Sequence, residues 1–121
     1  MKPTESELEI LQILWQKKTA TVREVHEALL EHKNSVYTTT LKLLQIMFEK
    51  GLVHRNDEAK SHVYTAAVTK ANTQQHLVSK MIESVFNGSP KELVMQALGS
   101  SQPSAAELAE IEQLIAQLKN N

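Results

Sequence analysis

Cysteine is absent from this chain of 121 residues. Disulfide frameworks, thiolate metal sites and cysteine nucleophiles are therefore excluded. Aromatic residues make up only 4% of the sequence and the net charge is -1, so composition alone predicts no general attraction to nucleic acid. No long apolar run is present, and the first residues, "MKPTESELEI", are acidic. We therefore expect neither membrane insertion nor a signal peptide, and a cytoplasmic location.

Glycine and proline occur only three times each, and their positions mark helix boundaries. Pro3, Pro90 and Pro103 lie at or just before predicted helix starts, whereas Gly51, Gly88 and Gly99 follow helical stretches. A Ser/Thr-x-x-Glu capping pattern precedes four apolar stretches, as Thr4/Glu7, Thr21/Glu24, Ser89/Glu92 and Ser104/Glu107. These capping and helix-breaking residues predict a mainly helical protein.

Hydrophobic spacing predicts three helices, at about 5–17, 22–32 and 36–50, with Ser35 capping the third. The β-rich runs "LVHR" and "HVYTA", separated by "NDEAKS", then predict a β-hairpin in which His54 and His62 could face each other. Three further helices are predicted at about 70–87, 90–98 and 105–119. The length suits one ordinary domain, or a small domain of roughly 70 residues with a helical extension.

Catalysis finds no support in the sequence. The segment "HEALLEH" resembles the zinc-protease pattern H-E-x-x-H, but Leu30 stands where the second histidine belongs. His26 and His32 would project about 120° apart on a helix and cannot share one ion from one face. Glycine-rich phosphate loops and nucleophile elbows are also missing from the sequence. We expect no enzyme, no metal and no cofactor, and keep a metal-dependent hydrolase only as an alternative to be tested.

Three helices followed by a hairpin form the layout of a winged helix-turn-helix, whose third helix enters the major groove of DNA. The predicted fold is therefore mainly α, with a winged-helix DNA-binding domain at 1–68 and a three-helix dimerisation domain at 69–121. Short hydroxyl and amide side chains suit contacts with phosphates and base edges. The candidate DNA-binding residues on the third helix and the hairpin are Thr38, Thr39, Lys42, Gln45, Arg55, Lys60 and His62.

Thr40 is expected to turn inward, away from DNA. The alternative function, from a different class, is a winged-helix adaptor that binds protein and has no DNA target.

The last three helices carry more apolar surface than a thin attachment could bury, and a second copy of the chain would cover it. The alternative is that these helices fold back on the winged helix of the same chain. The candidate dimerisation residues are Leu77, Met81, Ile82, Val85, Phe86, Leu93, Val94, Leu98, Leu108, Ile111, Leu114, Ile115 and Leu118.

Four segments resemble the penicillinase repressor family, the BlaI/MecI/CopY type of bacterial transcriptional repressor. They are "TESELEILQILW", "VYTTTLKLLQIMFEKGLVHR", "HVYTAAV" and "VFNGSPKELVMQAL", and the resemblance covers nearly the whole chain. It implies a homodimer that binds an inverted-repeat operator in double-stranded DNA. It also adds Tyr37 to the candidate DNA-binding residues.

Two departures from the family pattern bear on regulation. The copper-responsive members carry C-terminal cysteine pairs, which this chain lacks, so copper sensing of that kind is excluded. The antibiotic-responsive members are cut at an asparagine-phenylalanine bond in the fifth helix by a membrane-bound zinc-protease sensor. Gln96 and Ala97 stand at that position here, so they mark the candidate cleavage site and the sensor protease is the corresponding candidate partner.

Overall fold

A computed structural model describes residues 2–58 and 60–121. The helices are α1 (Glu5–Lys17), α2 (Val22–Leu30), α3 (Tyr37–Lys50), α4 (Lys70–Val85), α5 (Pro90–Ser101) and α6 (Ala105–Lys119). The strands are β1 (Ala20–Thr21), β2 (Val53–Asn56) and β3 (Val63–Ala66). The predicted fold class is confirmed. The chain forms two compact units that divide between Leu77 and Val78, whereas the functional division predicted between 68 and 69 stays a prediction.

The capping signals are confirmed at three helix starts. Thr4, Thr21 and Ser104 each accept a hydrogen bond from a glutamate N–H three residues on, and each glutamate side chain accepts one in return. At Ser89 the described residues form only the hydroxyl half of this arrangement. The prediction that Ser35 caps α3 is wrong, because the N-cap is Val36, whose side chain has no polar atom.

Three predicted helix ends differ from the structure, and one of them is that of α4, which ends at Val85 and not at 87. Gly51 does end α3, with the left-handed φ of 82° that glycine tolerates. Gly99 does not end α5, which continues to Ser101 and stops at Gln102 because Pro103 cannot continue the helical hydrogen bonding. The second helix ends at Leu30, not at 32, because the His32 N–H donates to Leu29, only three residues back.

The sheet has three antiparallel strands in the order β1-β3-β2. The sequence pattern did not predict β1, a two-residue strand too short to show periodicity. His54 lies opposite Thr65, and Asn56 lies opposite Val63. The expected pairing of His54 with His62 is therefore wrong, because this register places His62 beyond the last strand pair, on the side of Asp57.

The core of the first unit lies between the sheet and the first three helices. Its fully buried side chains include Ile10, Leu11, Leu44, Met47 and Tyr64. The indole Nε1 of Trp15 donates to the Val68 carbonyl at 2.9 Å and so attaches α1 to the segment after the sheet.

An ion pair between a buried carboxylate and a half-buried lysine joins α1 to α3. The Lys50 ammonium donates to Oε2 of Glu7 at 2.8 Å, and the Thr4 backbone N–H donates to Oε1 of Glu7 at 2.8 Å. Glu7 is only 1% exposed. Burial raises the pKa of Glu7, but the hydrogen bonds from Lys50 and Thr4 outweigh it, so the net shift is downward from 4.5. The carboxylate is therefore ionised in the folded protein at neutral pH.

The second unit has no core of its own. Residues 78–121 are all described by the structure, and none of them is buried in the single chain. Its three helical segments therefore leave their apolar side chains partly or fully exposed.

Candidate nucleic-acid interface

Helix α3 separates a buried face from an exposed polar face. Thr40, Leu44 and Met47 are fully buried. Thr38, Lys42 and Gln45 are exposed and project within roughly 60° of one another on the opposite side of the helix. Thr39 is also exposed, on the flank of this face. The structure thus brings together the four hydroxyl, amide and ammonium side chains that the sequence pointed to.

The threonine triplet at the start of α3 divides as expected. Thr40 turns inward, and its hydroxyl lies 2.9 Å from Nδ1 of His26 on α2. The His26 ring also meets the Tyr37 ring edge to face, with 5.5 Å between their centroids. Because Val36 offers no side-chain cap, this contact with α2 holds the first turn of α3 in place and leaves Thr38 and Thr39 exposed.

The hairpin formed by β2 and β3 is called the wing below. Two of its basic residues contact a carboxylate of the chain, and the third is exposed. Arg55 stacks over Phe48 of α3, with its guanidinium carbon 4.2 Å from the ring centroid, and its Nε lies 2.8 Å from Asp57. His62 Nδ1 lies 2.7 Å from the same Asp57 oxygen. Lys60 is exposed. Two of the three predicted wing contacts are therefore occupied by a carboxylate of the chain itself.

A groove of about 360 Å³ connects the wing to the helices. Arg23, Tyr37, Lys60 and His62 are among the residues that line it, together with Thr21 at the start of α2. The tip of the wing therefore lies beside the beginning of both α2 and α3. This arrangement places three basic side chains next to the exposed polar face of α3.

Sequence reasoning missed three residues at this site. Arg23 lies one turn before His26, in a helix whose pattern was informative only for its apolar stripe. His26 was considered only as a metal ligand, although it bonds Thr40. Glu49 is exposed on the same face as Lys42 and Gln45, and its spacing of seven and four residues from them could have revealed it.

The predicted dimerisation residues are accessible in the single chain. Met81, Val85, Val94, Leu108, Leu114, Ile115 and Leu118 are exposed, and the other six are half-buried. Leu77 is the last residue of the first compact unit, whereas the other predicted dimerisation residues lie in the second. Val78 and Met95 are exposed as well. Their role in dimerisation stays a prediction.

The candidate cleavage position lies inside a regular helix. Gln96 and Ala97 are both exposed within α5. A protease needs an extended substrate strand, so cleavage here would require local unfolding of α5. The cleavage site and the membrane sensor protease remain predictions.

No helix in the described part of the chain combines the length and apolar character needed to cross a bilayer. Among residues 2–58 and 60–121, no three His, Asp or Glu side chains come together in a way that could hold a metal ion.

Comparisons with known proteins identify the family. The family model described as "Penicillinase repressor" matches residues 3–117. The penicillinase repressor of Bacillus licheniformis is 22% identical over 117 residues, which cover 97% of this chain and 91% of that protein. The methicillin resistance regulatory protein MecI of Staphylococcus aureus strain N315 is 23% identical over 110 residues, or 91% and 89% of the two chains.

A solved structure of a mutant MarR from E. coli resembles this fold. It has a TM-score of 0.54 and 14% identity, and the match covers 96% of this chain and 77% of that one. At this identity the likeness concerns the fold alone, and it agrees with the winged-helix assignment.

The relatives are regulators by name, which confirms the prediction that the chain is not an enzyme. The family model spans nearly all of the sequence, including the polar face of α3, the wing and the last three helices. The chain therefore belongs to the penicillinase repressor family.

Proposed function

We propose that this repressor binds an inverted-repeat DNA operator as a homodimer, with α3 in the major groove and the wing along the neighbouring backbone. The observation that carries the proposal is the exposed face of α3, where Thr38, Lys42 and Gln45 point away from the core beside a basic groove. Winged helices present such a face to DNA.

The side chains divide by chemistry into two kinds of contact. The Gln45 amide both donates and accepts, which suits bidentate readout of a base edge. Lys42 carries a point charge and forms no ion pair with the described residues, so it suits a phosphate. The hydroxyls of Thr38 and Thr39 are short enough to let the helix backbone approach the DNA. Tyr37 and Lys60 line the groove and extend the phosphate contacts toward the wing.

The second unit supplies the reason for a dimer. Residues 78–121 bury no side chain within the single chain, yet they expose large apolar groups on all three helical segments. A helical cluster of this size without a core is not stable alone. A second copy would bury these groups, and its two-fold symmetry would match two half-sites of an operator.

Selection from a pool of random-sequence duplexes tests the proposal and identifies the operator in the same experiment. We expect enrichment of a sequence with two-fold symmetry, bound by two protomers per duplex. A pool that is not enriched by the wild-type chain, while the same protein captures a protein partner, would support the adaptor function instead. Enrichment of a single half-site bound by one protomer would contradict the dimer.

A further inference from the structure

Asp57 is the first residue after β2, and it lies between two of the basic residues of the wing. Its Oδ1 is 2.8 Å from Nε of Arg55 and 2.7 Å from Nδ1 of His62. A single carboxylate oxygen therefore contacts both side chains. Because a phosphate oxygen is also an anionic acceptor, DNA would compete with Asp57 for the same two groups.

The backbone fixes Asp57 in this position. Asn56 pairs with Val63, so 57 and 62 face each other immediately beyond the last strand pair. The N–H of Glu58 donates to the Asn56 side chain at 2.9 Å, which closes the turn just after Asp57. The carboxylate of Glu58 contacts no basic side chain among the described residues. Two adjacent acidic residues of the wing thus differ in what they touch.

The contacts of Asp57 are of a kind that DNA could replace. The side chain of Arg55 is 25% exposed, that of Asp57 54% and that of His62 45%. Arg55 Nε makes no aligned hydrogen bond with the described residues, so its attraction to Asp57 is one of charge at close distance. The Arg55 Nε atom is itself buried, but the Asp57 carboxylate and the His62 ring are exposed, and ion pairs with exposed partners contribute little. Meanwhile Phe48 holds the Arg55 guanidinium beside α3, next to the proposed DNA surface.

We propose that Asp57 limits the DNA affinity of the repressor by occupying Arg55 and His62, so that these side chains must leave it before they bind phosphate. The inference rests on the proposed function. In this role Asp57 keeps the affinity of the repressor for DNA below the affinity that the basic residues of the wing could otherwise support. A repressor that must release its operator benefits from such a limit.

The test compares Asp57→Asn with Glu58→Gln, since both remove one negative charge from the same turn. Binding to a labelled duplex of mixed sequence is titrated by anisotropy at several salt concentrations. Asp57→Asn should bind about two- to fivefold more tightly than Glu58→Gln, because the loss of an exposed ion pair corresponds to roughly that factor. The slope of log affinity against log salt should also steepen by about one, because the permanent charge of Arg55 becomes available to phosphate. In an Arg55→Gln background, the advantage of Asp57→Asn should shrink.

Equal binding by the two variants would overturn the proposal, because the effect would then be long-range charge alone. Weaker binding by Asp57→Asn than by Glu58→Gln would also overturn the proposal, since Asp57 would then help binding by orienting Arg55 toward DNA. Thermal unfolding of each variant confirms that the wing is folded. If the wild-type chain itself binds no duplex and shows no salt dependence, the proposed function fails, and that result is distinct from a failure of the Asp57 role.

Discussion

At the scale of single residues, the start of α3 shows how one short run serves two purposes. Thr38 and Thr39 are exposed, whereas Thr40 is fully buried and bonds His26. A buried hydroxyl without a partner would destabilise the fold, so His26 is what allows threonine at this position. The inward turn of Thr40 was predictable from the helical period. Its partner was not, because no local pattern connects residues fourteen positions apart.

Lys42 offers the most direct test of a phosphate contact. Lys42→Ala should weaken binding to all duplexes alike and lower the salt slope by about one, since one fewer counterion is released. Titrations of specific and scrambled duplexes at several salt concentrations measure both effects. Lys91→Ala, in the first turn of α5, is the matched control and should leave the slope unchanged. A loss confined to one base position would indicate that Lys42 reads a base.

Glu7 gives the fold a defined sensitivity to acid. Its pKa is lowered in the folded state, so its stabilising contribution is present above about pH 4.5 and is lost as the pH falls through the folded-state pKa. Glu7→Gln should reduce the free energy of unfolding at pH 7 by about 2 kcal/mol, because it leaves Lys50 without its carboxylate. It should also flatten the acid limb of the stability curve. Urea unfolding between pH 3 and 7 measures this, with the exposed Glu5→Gln as control. An equal loss in both variants would contradict the role of the ion pair.

At the scale of helices and strands, the sequence was most informative where a signal is local. Caps at Thr4, Thr21 and Ser104 depend on residues three apart, and all three formed. Strand register depends on the length and conformation of the turn, which composition does not encode. The histidine pairing was therefore wrong, and the network around Asp57 was missed. The short strand β1 owes its existence to β3, not to its own two residues.

Two glycines in similar sequence contexts should respond oppositely to alanine. Gly51→Ala should destabilise the fold by about 1 kcal/mol, because φ at that position is 82°. Gly99→Ala should stabilise it by about 0.5–1 kcal/mol, because this glycine is inside α5 and no described atom lies within 4 Å of an added Cβ. Thermal unfolding at one fixed protein concentration compares the two. Destabilisation by both would contradict the gain expected for Gly99→Ala.

At the scale of the whole molecule, the two units differ in how many apolar side chains they bury. The first buries a full set of core side chains, whereas residues 78–121 bury none. Amphipathic spacing made the exposed stripes of α4 and α6 predictable. Helical spacing alone does not say whether a stripe meets the same chain or another copy, and for that reason the sequence left both arrangements open.

Leu114 tests whether α6 lies in the proposed dimer contact. The side chain is 54% exposed in the single chain. Leu114→Asp would place a charge in an apolar seam, which is strongly unfavourable unless the charge is paired. We expect sedimentation to show a shift from dimer to monomer, while the neighbouring Gln113→Asp keeps the dimer. An unchanged mass for Leu114→Asp would remove this residue from the interface.

The central claim, that the polar face of α3 and the wing bind duplex DNA, is tested most directly by a titration of the wild-type chain with labelled duplex between about 50 and 200 mM salt. The account predicts that affinity falls steeply with salt, with a slope of about 0.9 for each phosphate contacted, and that two protomers bind each operator. Affinity for every duplex weaker than about millimolar, with no salt slope, would contradict it, since even non-specific binding is ordinarily tighter than this.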